Sequence, residues 1–362
     1  MALISPAPQA GTATWALERF DYPLPPERIA QTPLEPRDSS RLLHLARDGT
    51  LRDHAFLDLP RLLRPGDLLV ANDTRVRAAR LRGRREDGGR AEVLLLDRLG
   101  EDRYTALVRP GRRMREGTRV AAAAGLGVEV QGPAGGHPGA RLVRLTVPGG
   151  DVEAAIAAAG EEPLPPYIRT PLADRERYQT VYAEGAAESA AAPTAGLHFT
   201  ARVSRALAER GVGWTTVRLE VGLGTFAAIA APDIRAHRMH AERCSLPAET
   251  VEAVERTRSR GGRVVAVGTT VVRTLESRAG ADRRLRPGSG STELFITPGH
   301  RFAVVDGLLT NFHQPRSSLL VLLAAFVGAA GWRGAYDHAL ASGYRFLSFG
   351  DCMLCWRDGS AR

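Results

Sequence analysis

The sequence predicts an α/β protein with a small β-barrel inserted near its N-terminal side. Two observations carry that prediction. Between Arg64 and Gly150, short runs of alternating apolar residues follow one another, separated by turns bearing glycine and proline, which is the pattern of a small barrel or sandwich. On either side, strand-like and helix-like segments are mixed, as in a layered α/β unit. The expected division is residues 64–150 for the barrel and residues 1–63 with 151–362 for a discontinuous α/β catalytic unit.

The barrel strands are read from "DLLVAN", "AEVLLLD", "RYTALVRP", "GVEVQG" and "ARLVRLTVP". Beyond them, "VEAAIAAAG", "DRERYQTVYA" and "ARVSRALAERG" read as helices, and "WTTVRLEV" as a strand. "PAETVEAVERTRSRGG" is a helix closed by two glycines, followed by the apolar strand "RVVAVG" and the helix "TTVVRTLESR". "ELFITP", "RFAVVDG" and "LLTNF" read as short strands. "SSLLVLLAAFVG" is a helix opened by serine caps. "YRFLSFGDCMLCW" is a strand with its approach.

A chain of 362 residues with 44% hydrophobic and 25% charged residues has an ordinary globular composition and room for two domains. The longest apolar run, from Leu319, is interrupted by glycines and reads as a buried helix rather than a membrane span. The N-terminus lacks the basic start and apolar stretch of a secretory signal. The three cysteines Cys244, Cys352 and Cys355 fit a reducing compartment, and "CMLC" reads as part of a strand. A cytoplasmic monomer without membrane contact is expected.

The net charge is +9, and every one of the 49 basic residues is arginine. The absence of lysine excludes a Schiff-base lysine and a phosphate-loop lysine. Arg64 to Gly150 holds 17 arginines against 10 acidic residues. Arg75, Arg77, Arg80, Arg82, Arg84, Arg112 and Arg113 are the candidates for a phosphate-tracking RNA surface. A merely solvated strand face is the plain alternative, and no aromatic residues interleave to stack bases.

Further along, glycines, hydroxyls and histidines gather at strand ends, in "PTAGLHFT", "VGLGTFAAI" with "HRMHAERC", "VGTTVVRTLES", "TNFHQPRSS" and "SFGDCM". "GLGTFA" fits a dinucleotide or methyltransferase fingerprint, but Pro232 follows too soon for the helix that fingerprint needs. Gly222 and Gly224 are therefore read as glycines that let backbone approach a ligand. His237 and His240 lack the third ligand and frame of a metal site, and no metal is expected. "AVGTTVVRTLES" ends a strand at Gly268 and starts a helix at two threonines, presenting free amides and hydroxyls to an anion. Threonine capping alone is the alternative.

In order and wording, these blocks resemble the S-adenosylmethionine:tRNA ribosyltransferase-isomerase family of queuosine biosynthesis. The resemblance starts at "FDYPLPPERIAQTPLEPRDSSRLL" and runs through "LPPYIRTP", "APTAGLHFT", "HRMHAE", "VAVGTTVVRTLES" and "VVDGLLTNFHQPRSSLL" to "YRFLSFGDCML", nearly the whole chain. It implies transfer and isomerisation of the ribosyl group of S-adenosylmethionine onto 7-aminomethyl-7-deazaguanine, at the wobble position of tRNA with a GUN-type anticodon. The product is epoxyqueuosine; adenine and methionine leave. S-adenosylmethionine is then a consumed co-substrate, with no recycled cofactor.

That chemistry needs a base for the ribose 5′ proton and assistance for adenine departure. The candidates are His198, His237, His240, His313 and Asp351. Substrate contacts are expected from Thr194, Gly196, Gly222, Gly224, Thr225, Glu242, Gly268, Thr269, Thr270, Arg273, Glu276 and Asn311. Within this set, Thr269 and Thr270 would hold the methionine carboxylate. The rival readings are a tRNA-binding paralogue without this activity or acting on another nucleoside, and a methyltransferase.

Overall fold

The computed structural model describes residues 15–135, 139–185, 187–222 and 228–357. Two sheets dominate it, a nine-stranded mixed sheet and a closed antiparallel barrel. Four parallel strands form the middle of the large sheet: Gly213–Leu219, Leu68–Asn72, Val264–Val267 and Gly307–Asn311. Glu242–Leu246 and Gly288–Thr292 extend it antiparallel on one side. Cys352–Trp356, Arg41–Leu45 and Leu51–Ala55 extend it on the other.

The sheet is covered on both faces, so its central strands can be apolar throughout. Leu42, Leu69, Val265, Val267, Leu309 and Leu354 face one way, against Phe56, Phe199 and the Ala201–Glu209 helix. Leu43, Val70, Val264, Ala266, Leu308 and Met353 face the other. There they meet the helices Ala248–Ser259, Thr269–Arg278 and Ser318–Ala341. Ser317 caps the last of these by accepting from Leu320 N–H at 3.2 Å. Gly328, at φ +78°, breaks its regularity midway. This is the one described helix long and apolar enough to cross a membrane, and most of its apolar side chains are packed into the core.

The barrel runs Arg80–Arg85, Arg90–Arg98, Arg103–Arg109, Arg141–Thr146, Gly127–Pro133, Arg119–Ala122 and back to Arg80–Arg85. Val93, Leu95, Tyr104, Ala106, Val128, Val143 and Leu145 fill it, and Ala155 and Ile156 of the Val152–Ala159 helix join that core. Closure depends on Gly83, because a Cβ there would lie 2.3 Å from the Ala121 carbonyl oxygen. Gly160–Glu161 pairs with Leu81 and Arg80, so the chain leaves the barrel beside its point of entry.

Four sequence expectations need correction. "DLLVAN" forms a central strand of the large sheet rather than a barrel strand. "DRERYQTVYA" makes only a 3₁₀ turn at Arg175–Tyr178, capped by Asp174. "ELFITP" and "RFAVVDG" are not strands. Side chains of the Thr269–Arg278 helix take the backbone groups that strand partners would have used. Arg273 Nε donates to the Leu294 carbonyl at 3.1 Å, and Glu276 accepts from the amides of Ala303, Val304 and Val305.

Candidate functional site

The carboxyl ends of the parallel strands are where ligands bind in open α/β sheets. Here Asn72, Gly268 and Asn311 end or follow three adjacent strands. The "PTAGLHFT" segment folds as a 3₁₀ turn, Thr194–His198, against these ends. Gly268 adopts φ +93°, which lets the chain turn directly from strand into helix. With no side chain on Gly268 to cap them, the first-turn amides of that helix have no intrahelical acceptor.

A small pocket of about 60 Å³ opens at these strand ends. Thr194, Gly268, Thr269, Thr270, Asn311 and His313, all candidates from the sequence, line it together. Tyr167, Thr310, Gln314 and Ser348 line it too and were missed, having no local pattern that marks them. Among the described residues, every lining side chain is uncharged at neutral pH: the His313 imidazole is held down to about 3 by burial. Its Nε2 lies 3.0 Å from Thr310 Oγ1, and its amide donates to Tyr336 Oη at 2.8 Å.

A second, larger hollow of about 1040 Å³ lies between the barrel and the neighbouring edge of the large sheet. Gly222, His237, His240 and Glu242 line one wall; Leu96, Asp97, Arg98 and Ile156 line the barrel side. Arg75 and Arg77 also border it. Val221 belongs to the walls of both hollows, so the two are adjacent. Burial, and then the charge of His240, lower the His237 pKa, so His237 is neutral at physiological pH. Its ring meets Phe295 edge-on with centroids 5.2 Å apart. Glu242 accepts from Gly222 N–H at 3.0 Å and pairs with the buried Arg273 guanidinium, whose pKa burial lowers to about 10.

Of the remaining candidates, those among the described residues are not brought into either hollow. His198 is buried behind Asn311, with Nδ1 2.7 Å from Ser40 Oγ and Nε2 3.2 Å from Asn311 Nδ2. Asp351 is also buried; burial raises its pKa against the opposing pull of two backbone amides, Arg41 at 2.9 Å and Arg345 at 2.8 Å. Arg273 and Glu276 point into the interior. Burial alone would raise the Glu276 carboxyl, but the His300 ring 3.8 Å away and its three amide donors hold it below its ordinary range. Gly196 makes room for Tyr182: a Cβ there would be 2.0 Å from the tyrosine oxygen. Gly224 and Thr225 lie outside the described residues.

Of the arginines, Arg75 pairs with Glu176, and Arg77 donates to the Leu96 carbonyl at 2.8 Å. Arg80 donates to the Leu164 carbonyl at 3.1 Å. Arg82 and Arg84 stand with Arg90 and Arg109 along an open groove on the barrel, and Arg112 and Arg113 are exposed beyond it. Cys352 and Cys355 are buried on opposite faces of the sheet, and burial raises both thiols. Among the described residues, no group of three His, Cys, Asp or Glu is placed to hold a metal.

Comparison with known proteins agrees with this architecture. The family model described as "Queuosine biosynthesis protein" matches residues 17–355. The chain is 48% identical to the S-adenosylmethionine:tRNA ribosyltransferase-isomerase of Synechococcus elongatus, over 95% of this chain and 97% of that one. It is 51% identical to the Moorella thermoacetica protein of the same name, over 93% and 99%. The crystal structure of S-adenosylmethionine tRNA ribosyltransferase from Thermotoga maritima matches with a TM-score of 0.54 and 37% identity, covering 93% of this chain and 99% of that one. With nearly full-length matches in sequence and fold, the chain belongs to the queuosine biosynthesis family of S-adenosylmethionine:tRNA ribosyltransferase-isomerases.

Proposed function

We propose that the family reaction is divided between the two adjacent hollows. The enzyme transfers and isomerises the ribosyl group of S-adenosylmethionine onto 7-aminomethyl-7-deazaguanine in tRNA, giving epoxyqueuosine. The observation that carries the division is the wall they share at Val221, which sets a small pocket beside a cleft large enough for a nucleoside.

In this reading, the methionine carboxylate sits against the open amides at Thr269 and Thr270, favoured by the positive end of the helix dipole. The ribose and the modified base meet in the cleft. The sulfonium acidifies the neighbouring 5′ C–H, and a neutral imidazole is suited to take that proton. His237 is the base of choice, because it borders the cleft and its lowered pKa keeps it unprotonated. His240 is its neighbour in that wall. His198 and Asp351 position the strand ends. The tRNA, with a GUN-type anticodon, lies along the barrel groove of Arg82, Arg84, Arg90 and Arg109. The barrel and the α/β unit act as separate binding and catalytic parts of one cytoplasmic monomer.

The test is adenine release from S-adenosylmethionine in the presence of tRNA carrying 7-aminomethyl-7-deazaguanine, with mass analysis of the digested tRNA. Adenine together with an epoxyqueuosine mass supports the reading; tRNA bound with no adenine released refutes it.

A further inference from the structure

Asn311 has an orientation and an unmet need that the reaction described above does not use. It is 3% exposed at the end of the Gly307–Asn311 strand and forms part of the small pocket's wall. Its Nδ2 donates to the Leu347 carbonyl at 3.1 Å and faces the Asp351 carbonyl at 3.5 Å. Only an N–H group fits between two carbonyl oxygens, so the amide cannot be flipped. His198 Nε2, 3.2 Å from the same Nδ2, must then be the acceptor. The imidazole proton therefore sits on Nδ1 and is given to Ser40 Oγ at 2.7 Å. The chain Ser40–His198–Asn311 locks the amide, and Asn311 Oδ1 is left buried with no donor. A buried acceptor in that state lowers stability until a donor reaches it.

The sheet register shows which donor fits. Val267 stands opposite Leu309 on adjacent parallel strands. Gly268 N–H donates to the Leu309 carbonyl at 2.8 Å, so Thr269, the first helical residue, and Asn311, the last strand residue, emerge side by side and line the same pocket. An α-amino acid carries its carboxylate and its ammonium one carbon apart. A carboxylate on the Thr269 amide thus brings the ammonium beside Asn311. Among the described residues the pocket lining holds no charged side chain, which suits a zwitterionic head group of zero net charge and disfavours a lone ion.

We propose that Asn311 Oδ1 accepts a hydrogen bond from the α-ammonium group of the methionyl part of S-adenosylmethionine, with Ser40 and His198 as positioning residues that hold the amide in that sense. This rests on the placement of the methionine carboxylate at Thr269 and Thr270.

The experiment compares binding of S-adenosylmethionine with that of its analogue lacking the α-amino group, using the full chain and calorimetry. The wild-type protein is expected to prefer S-adenosylmethionine by roughly ten- to a hundredfold. Asn311→Leu should reduce that preference to within about twofold, with the whole loss falling on S-adenosylmethionine. Ser40→Ala should narrow the preference without weakening the deaminated analogue, an effect that general loosening of the fold would not produce. Equal binding of the two ligands by the wild-type protein overturns the proposal without any variant, which covers the case of Asn311→Leu failing to fold. Adenine release from the same preparation separates the two ideas. Turnover without amine preference removes Asn311 from this role and leaves the reaction standing. Amine preference without turnover upholds the role of Asn311 and refutes the reaction.

Discussion

His198 stacks on Phe56 with ring centroids 5.2 Å apart and an interplanar angle of 29°, an apolar seat for a titratable ring. Burial there holds its pKa down to about 4. In the unfolded chain a histidine titrates near 6.5. Between these values the unfolded state binds a proton that the folded state refuses. Stability is therefore full above about pH 6.5 and is lost as the pH falls toward 4. For His198 alone the loss is roughly 3 kcal/mol. Urea midpoints at pH 7.5 and 5.0 should differ strongly for the wild type and less for His198→Gln; an unchanged difference would refute the assignment.

The His237 assignment predicts a kinetic result. His237→Ala should lower kcat by roughly 10²- to 10⁴-fold while S-adenosylmethionine and tRNA still bind. Because burial and His240 lower its pKa, the acid limb of the wild-type rate profile should lie below pH 6.5. Near-normal turnover by the variant would pass the role to His240.

The barrel groove makes a prediction about salt. Arg82 is 61% exposed on its side chain and pairs with the partly exposed Glu161 at 3.3 Å, so it is available to phosphate. Arg82→Glu together with Arg84→Glu should weaken tRNA binding and flatten its dependence on log[salt] by about two units of slope. Unchanged affinity and slope in filter binding would remove the barrel from the RNA surface.

Gly196 and Tyr182 should behave as a coupled pair. Gly196→Ala puts a methyl group where the Tyr182 oxygen stands, and that oxygen is buried with no hydrogen-bond partner. The variant should lose about 1–3 kcal/mol, as overpacking does. Adding Tyr182→Phe removes the clashing atom along with its unmet hydrogen bond and should restore part of the loss. Strict additivity in a double-mutant cycle would show that the two do not touch.

Much of this was legible in the sequence because local signals and global fold agreed. The serine cap at Ser317, the strand-to-helix turn at Gly268 and the alternating strands of the barrel are each fixed by a few neighbouring residues. "ELFITP" and "RFAVVDG" misled because their backbone partners are Arg273 and Glu276, side chains about twenty to thirty positions earlier. His198 looked like an acid–base group because the sequence shows its type and setting but not its depth. Ser40, which holds its Nδ1, lies 158 residues away and carries no mark beyond being a serine beside a strand. Recurrence at strand ends singled out Thr269, Asn311 and His313 as candidates; that they share one pocket needed the structure.

The pairing of Gly160 with Leu81 has an engineering consequence. All six strands of the barrel belong to the stretch from Arg80 to its partner Glu161, and none of them is lent to the large sheet. The host sheet is thus complete without the insert, and the cut ends would sit roughly one strand spacing apart, about 4.8 Å. The barrel is in effect a cartridge with both terminals on one socket, replaceable by another compact module without rerouting the chain that carries the pocket.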